Sequence, residues 1–304
     1  VMMKRNVLGQ SGIEIGELGF GCMSLDASKP EESTRILREA FDAGVTFFDT
    51  ADLYDAGKNE ELVGQALQAC RHEVVIATKV GNRIIPGQAG WTWDPSPAYI
   101  ETAVEQSLRR LRTDYIDLYQ LHGGTMDDPF DEIVETMERL QARGLIRAYG
   151  ISSIRPNVIL HYLKHSQIAS VMMQYSLLDR RPEEWFPAIE EAGVSVIARG
   201  PVARGLLGGG KRMADGETYL QWTQADIDAA LASIQEMLDG RSATQLSLAF
   251  AMYPKVVATA VPGASSLAQL RENLGVCTAP SLTAEEIRKL SDAFPAAKYE
   301  AHRA

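Results

Sequence analysis

Cysteine is scarce in this chain, with 3 in 304 residues: Cys22, Cys70 and Cys277. An odd number, far apart and in no metal-ligand spacing, makes neither a disulfide framework nor a metal site, so reduced thiols in a reducing compartment are expected. Positive charge is in deficit too: 30 Lys and Arg face 40 Asp and Glu, for a net charge of −10 and a pI near 5.1. That balance argues against nucleic acid or an anionic membrane as a partner, since both need clustered cations. Long hydrophobic runs are missing, with nowhere 18 uncharged apolar residues in a row, so no membrane span is expected. The opening "VMMKRNVLGQSGIEIGEL" lacks the apolar core of a signal peptide, and a cytoplasmic protein is expected. Val1, ahead of two methionines, reads as a residue added in cloning. With no heptad pattern or evident apolar patch, a monomer is expected.

What is present suits a large soluble core: 45% of residues are hydrophobic and 23% charged. "RNVLGQSGIEI" (5–15) reads as two short strands around a Gly-containing turn, a hairpin placed to cap one end of the fold. Eight short apolar runs follow, at 15–21, 45–49, 73–79, 115–122, 146–152, 170–175, 194–200 and 256–263. Between them lie segments of helical period, at 30–44, 59–70, 96–111, 128–144 and 266–275. In 128–144, for example, Ile133, Met137 and Leu140 recur on one face. Strands alternating with helices demand parallel pairing through right-handed crossovers, and a closed (β/α)8 barrel satisfies every strand edge. A single domain over 1–304 is expected, with about 276–304 as an added C-terminal helix. "LLGGGKRMADGETYLQW" (206–222), after strand seven, reads as a long loop over the barrel mouth.

In such a barrel the chemistry sits at the C-terminal ends of the strands. Asp49 ends strand two, Lys79 strand three and His122 strand four, with Tyr54 just past strand two. Alone, each has an ordinary explanation as a helix cap, a solvated end or a core residue. On three adjacent staves, an acid, a base and an imidazole beside a phenol form a constellation. A phenol, with a reference pKa of about 10, is a weak acid near neutrality, and a neighbouring ammonium stabilises its anion. The carboxylate keeps that ammonium charged in a low-dielectric pocket, and the imidazole can polarise a carbonyl. The set suits giving a proton to a carbonyl oxygen while a bound cofactor supplies hydride.

The motifs carry a resemblance. "GVTFFDTADLYDAGKNEELVG" (44–64), "IATKV" (76–80), "DYIDLYQLH" (114–122), "GLIRAYGIS" (144–152), "MQYSLLDR" (173–180) and "AVPGASSLAQLRENL" (260–274) follow the order of the aldo-keto reductase family, bacterial and plant branch. The chain resembles that family from about residue 4 to 276. The resemblance implies a (β/α)8 barrel that reduces aldehydes or ketones with NADPH, NADH being the alternative. It implies Tyr54 as general acid, with Asp49, Lys79 and His122 as partners. Ser152, Ser153 and Gln174 would hold the nicotinamide carboxamide, with Arg199 stacked on the ring. Gly200, Pro201, Val202, Arg204 and Leu206 would run beside the pyrophosphate, and Gly263, Ala264, Ser265, Gln269 and Asn273 would wrap the adenosine end.

Three positions depart from the family pattern. Ser153 stands where Asn is usual. Arg199 stands where an aromatic usually stacks, and its charge should disfavour a cationic oxidised ring relative to the neutral reduced one. Ser265 and Ser266 stand where a cation often meets the 2′-phosphate, leaving Arg271 as the nearest cation. Met23, Trp91 and Trp93 are candidate walls of an apolar substrate pocket.

Other signals are weaker. "GLLGGGKR" (205–212) has Arg212 where a phosphate loop needs Ser or Thr on Mg²⁺. His161 and His165 are spaced for a metal but lack a third ligand, and no metal is expected. A Schiff-base aldolase using Lys79 would need a lysine not already paired with Asp49. A cofactor-binding regulatory or scaffold protein is the non-enzymatic alternative.

Overall fold

The computed structural model describes residues 3–304; Val1 and its cloning reading lie outside them. The chain opens on an antiparallel hairpin, β1 (Arg5–Val7) with β2 (Glu14–Gly16). The barrel strands then follow as β3 (Phe20–Gly21), β4 (Phe47–Asp49) and β5 (Val75–Val80). A small ribbon, β6 (Asn82–Arg83) with β7 (Thr92–Trp93), rises from the loop after β5. The barrel continues through β8 (Ile116–His122), β9 (Ile146–Ser152), β10 (Ser170–Gln174), β11 (Ser195–Arg199) and β12 (Val257–Val261).

These eight strands pair in parallel as β3, β4, β5, β8, β9, β10, β11 and β12. The two edges meet through a parallel bridge between Leu18 and Ala260, where Gly19 N–H donates to the Ala260 carbonyl at 2.8 Å and Ala260 N–H to that of Glu17 at 3.1 Å. The sheet is thereby the closed (β/α)8 barrel expected from the alternation. The first strand is shorter than its apolar run because residues 14–16 are drawn into the hairpin.

The barrel helices are α1 (Pro30–Asp42), α2 (Lys58–Leu67), α3 (Pro97–Leu111), α4 (Phe130–Ala142), α5 (Pro156–His165), α6 (Phe186–Glu191), α7 (Gln224–Ser233), α8 (Ala243–Met252) and α9 (Leu267–Leu274), with α10 (Ala284–Ala293) near the C-terminus. Their starts follow chemistry written in the chain. Pro30, Pro97 and Pro156 occupy first turns, and Ser96 accepts from Tyr99 N–H. Thr223, Ser242 and Thr283 form capping boxes with Asp226, Gln245 and Glu286.

The barrel interior is a separate apolar cluster that includes Phe47, Ala77, Leu118, Met172 and Ile197. Leu8, Ile13 and Ile15 of the hairpin belong to it, so β1 and β2 plug the N-terminal end as expected. Side chains alternate along a strand. Two residues beyond this apolar layer, on the same inward face, come Asp49, Lys79, Gln120, Gln174 and Arg199. The barrel therefore changes from apolar to polar in one step toward its C-terminal mouth.

Candidate active site

Lys79 is the centre of the mouth. Its side chain is 1% exposed, and its ammonium donates to Asp49 Oδ2 at 2.6 Å, to the Thr50 carbonyl at 2.9 Å and to the Tyr54 hydroxyl at 3.0 Å. Burial acts to strip this proton. The Asp49 carboxylate and then Tyr54 outweigh it, so the lysine pKa stands above its ordinary value and the group is an ammonium at neutral pH. Strands β4 and β5 supply Asp49 and Lys79. Tyr54 comes from the turn after β4, where Asp55 and Ala56 take left-handed φ of 48° and 50°. That turn returns the phenol over the lysine, with the ammonium 4.8 Å from its ring centroid.

Gln120 is a member that the sequence reading missed. It is fully buried, and its amide donates to Asp49 Oδ1 at 2.9 Å. Each carboxylate oxygen thus has a donor, Lys79 on one and Gln120 on the other. The available signal was position: Gln120 lies two residues before His122, on the same inward face, and a buried amide needs partners.

His122 stands edge-on to Tyr54, ring centroids 6.2 Å apart and planes at 89°. Burial, then the positive charges of Lys79 and Arg199, lower its pKa to about 3, so the imidazole is neutral near pH 7. Its Nδ1 is buried with no hydrogen-bond partner among the described residues. Asp49, Lys79, Tyr54 and His122 therefore come together as the strand order required.

Across the mouth, Gln174 and Arg199 are adjacent, paired in register on β10 and β11. The Gln174 carbonyl accepts from Arg199 at 3.1 Å, and its amide donates to Asp179 at 2.9 Å. Asp179, buried and bridged to Arg181 at 2.8 Å, is a second unforeseen member. Ser152 is half-buried at the end of β9. Ser153 is buried, and its hydroxyl accepts from Arg155 N–H at 3.1 Å, so it fastens the following turn.

The segment after β11 curls tightly. Gly200 has φ 60°, and Ala203, Arg204 and Gly205 run at φ 50°, 57° and 85°. Consecutive left-handed residues make the concave backbone that suits a phosphate. Val202 and Arg204 reach the surface, whereas Pro201 and Leu206 are buried in the wall. Past β12, Gly263, Ser265 and Gln269 are exposed, with Ser265 N–H donating to Gln269 Oε1 at 2.8 Å. Ala264 and Asn273 are buried, and the Asn273 amide secures the Gly263 carbonyl at 3.1 Å. Arg271 is held by Glu39 of α1 at 2.8 Å. These placements would suit a phosphorylated cofactor lying from β9–β11 towards α9, with Ser153, Pro201, Leu206, Ala264 and Asn273 buried in the walls.

Among the rim residues, Met23 and Trp91 are exposed at 69% and 53%. Trp93 is half-buried, packs over Gly81, and donates its indole N–H to Asp128 at 2.9 Å. The long loop is anchored at its far end: Tyr219 and Trp222 are buried, and the Trp222 indole donates to the Leu178 carbonyl at 2.9 Å. His161 and His165 flank Phe130, and no group of three metal-ligating side chains occurs among the described residues. No described helix is long and apolar enough to cross a membrane.

A closed parallel barrel whose mouth gathers a carboxylate, an ammonium, a phenol and a neutral imidazole defines a (β/α)8-barrel enzyme. The chain belongs to the aldo-keto reductase family, whose model matches residues 17–294, and it is an oxidoreductase. It is 49% identical over 306 residues to "Uncharacterized oxidoreductase YqkF" of Bacillus subtilis (strain 168), covering 99% of this chain and 100% of that one. It is similar to aldo-keto reductase AKR11C1 from Bacillus halodurans, at 52% identity and TM-score 0.94 for the holo form, covering 99% and 100% of the two chains. For the apo form the TM-score is 0.84, at 47% identity and the same coverage. An aldo/keto reductase from Klebsiella pneumoniae, solved with NADP and acetate, is 29% identical with TM-score 0.78, covering 98% of each chain.

Proposed function

We propose that this protein reduces a small aldehyde or ketone to an alcohol with a nicotinamide cofactor, NADPH before NADH, and that Tyr54 is the general acid. The observation that carries the reading is the 3.0 Å contact between the Lys79 ammonium and the Tyr54 hydroxyl, with Lys79 itself held by Asp49 at 2.6 Å. The NADP complex of the Klebsiella relative supports the cofactor assignment.

When bound, the cofactor supplies hydride. Ser152, Gln174 and Arg199 line the side of the mouth that would hold its nicotinamide, and the left-handed curl at 203–205 would hold its phosphates. His122 donates from Nε2 to the substrate carbonyl and orients it. Tyr54 passes its proton to the carbonyl oxygen as negative charge develops there. Lys79 stabilises the phenolate left behind, and Asp49 with Gln120 keeps Lys79 in place. A lysine kept charged in this way is a poor Schiff-base nucleophile, which disfavours aldolase chemistry.

The test is Tyr54→Phe assayed with NADPH and 4-nitrobenzaldehyde. Loss of the acid is expected to lower kcat by about 10²–10⁴-fold while NADPH binding, followed by fluorescence, is unchanged. A variant within tenfold of the parent would remove Tyr54 from the acid role. Cofactor binding by the parent with no turnover across a panel of carbonyl compounds would instead favour the regulatory or scaffold reading.

A further inference from the structure

Outside the barrel, at the start of α1, along α2 and at the C-terminal end of α3, the surface folds into a cavity of about 510 Å³. Four cations line it, Lys58, Arg109, Arg110 and Arg112, against one acid, Glu61; Ala27, Pro30 and Leu62 supply an apolar side. Such a gathering stands out in a chain with ten more acids than cations (40 − 30).

One of the four is held rigidly. Glu60, fully buried, takes the Arg110 guanidinium on Oε1 at 2.7 Å and the Thr78 hydroxyl on Oε2 at 2.7 Å. Gly57 packs on the Arg110 stem, where a β-carbon would lie 2.9 Å from Cδ. The other three enter none of the ion pairs or side-chain hydrogen bonds among the described residues.

Helix electrostatics accounts for part of this. Arg109 and Arg110 stand in the last turn of α3, where cations offset the negative end of the dipole. Lys58 stands at the first residue of α2, the positive end, where a cation is unfavourable; no side chain caps that end. Arg112 is the residue that caps the C-terminal end of α3, its backbone N–H donating to the Arg109 and Leu108 carbonyls, so the dipole favours its charge as well. Arg110 already has Glu60, so an anion in the cavity would partner Lys58, Arg109 and Arg112.

We propose that this cavity binds a phosphate group, as free phosphate or on a small phosphate ester. Two carboxylates, Glu60 and Glu61, set against four cations leave a net charge of +2, which a phosphate dianion matches. Guanidinium forks and one ammonium suit its tetrahedral oxygens. The apolar side formed by Ala27, Pro30 and Leu62 is where the organic part of an ester would rest. The site is separate from the carbonyl chemistry and does not depend on it.

The test is calorimetric titration of the protein, saturated with NADP⁺ so that phosphate places at the barrel mouth are filled, with inorganic phosphate and with phenyl phosphate at low ionic strength. Saturable one-site binding is expected, weakened at least tenfold in Arg109→Ala/Arg112→Ala and again in Lys58→Glu, with kcat/KM for a carbonyl substrate unchanged. Phenyl phosphate binding more than tenfold tighter than phosphate assigns an ester; equal affinities assign the free ion. Absence of saturable binding with both ligands, or binding that the double variant leaves intact, overturns the proposal.

Discussion

Lys79 keeps its proton in a buried site because oxygens from Asp49, Thr50 and Tyr54 all reach it, and this follows from what the strands end in. Asp49, Lys79 and His122 were legible because an ionisable residue at the end of an apolar strand is costly without a purpose. Gln120 was not, since an uncharged amide within "YIDLYQLH" carries little signal until its inward neighbours are known. Removing it tests how far Asp49 depends on it. Gln120→Leu leaves Asp49 Oδ1 without its donor, at a cost of about 1–3 kcal/mol in stability. It is expected to lower kcat roughly tenfold with little change in KM, since the misplaced pair acts on proton transfer. Unchanged kcat in a folded Gln120→Leu would reduce the amide to a packing role. Arg199 presents a different case. Its link to Gln174 places a cation at the mouth, and Arg199→Phe is expected to raise affinity for NADP⁺ relative to NADPH by about 2–5-fold, given the few-tenths to 1 kcal/mol scale of partly exposed charge contacts. Equal ratios in parent and variant, measured by fluorescence titration, would dispose of the bias.

At the level of elements, strands were easier to read than helices. Each apolar run became a barrel strand, because burial on both faces leaves a continuous hydrophobic signature. Five helices were legible from their periodicity and a sixth, α5, from His161 and His165 four residues apart; α6, α7 and α8 carried no such signal. Yet the capping boxes Thr223/Asp226 and Ser242/Gln245 stood in the sequence at the starts of α7 and α8. The turn from β4 into α2 was opaque for another reason, because its buried charges interact only once three elements pack. Asp52 there is buried with Oδ1 unpartnered. Desolvation, then the Glu60 carboxylate, push its carboxyl up to about 7. A carboxyl raised from an unfolded value near 3.9 lets the folded chain hold an extra proton between about pH 4 and 7. Its contribution therefore favours the fold on the acid side and is lost as pH rises through 7. Asp52→Asn removes that dependence. Its stability relative to the parent, from urea unfolding, is expected to grow between pH 5 and pH 8 by on the order of 1–3 kcal/mol. Parallel pH profiles for the two proteins would show that Asp52 is ionised throughout.

For the whole molecule, the closed barrel joins the half that carries the proposed acid, β4 through β8, to the half proposed to hold the cofactor, β9 through α9, so that ligand binding and global stability would be linked. A ligand at 100 times its Kd adds about 2.7 kcal/mol to the folded state. In a chain of this size that corresponds to a rise of about 5 °C in Tm. Saturating NADPH is expected to produce a shift of that order. NADH should give a smaller one, but the gap should be narrow, because Ser265 and Ser266 offer only hydroxyls to a 2′-phosphate and Arg271 is occupied by Glu39 at 2.8 Å. A discrimination of about tenfold or less, or roughly 1.4 kcal/mol, corresponds to about 3 °C between the two cofactors at equal concentration. Glu39→Ala releases the guanidinium without touching the barrel mouth, so the NADPH shift should increase while the NADH shift stays fixed. Thermal melts of both proteins with each cofactor decide the matter: a gap unaltered by Glu39→Ala would mean that Arg271 does not reach the 2′-phosphate even when free.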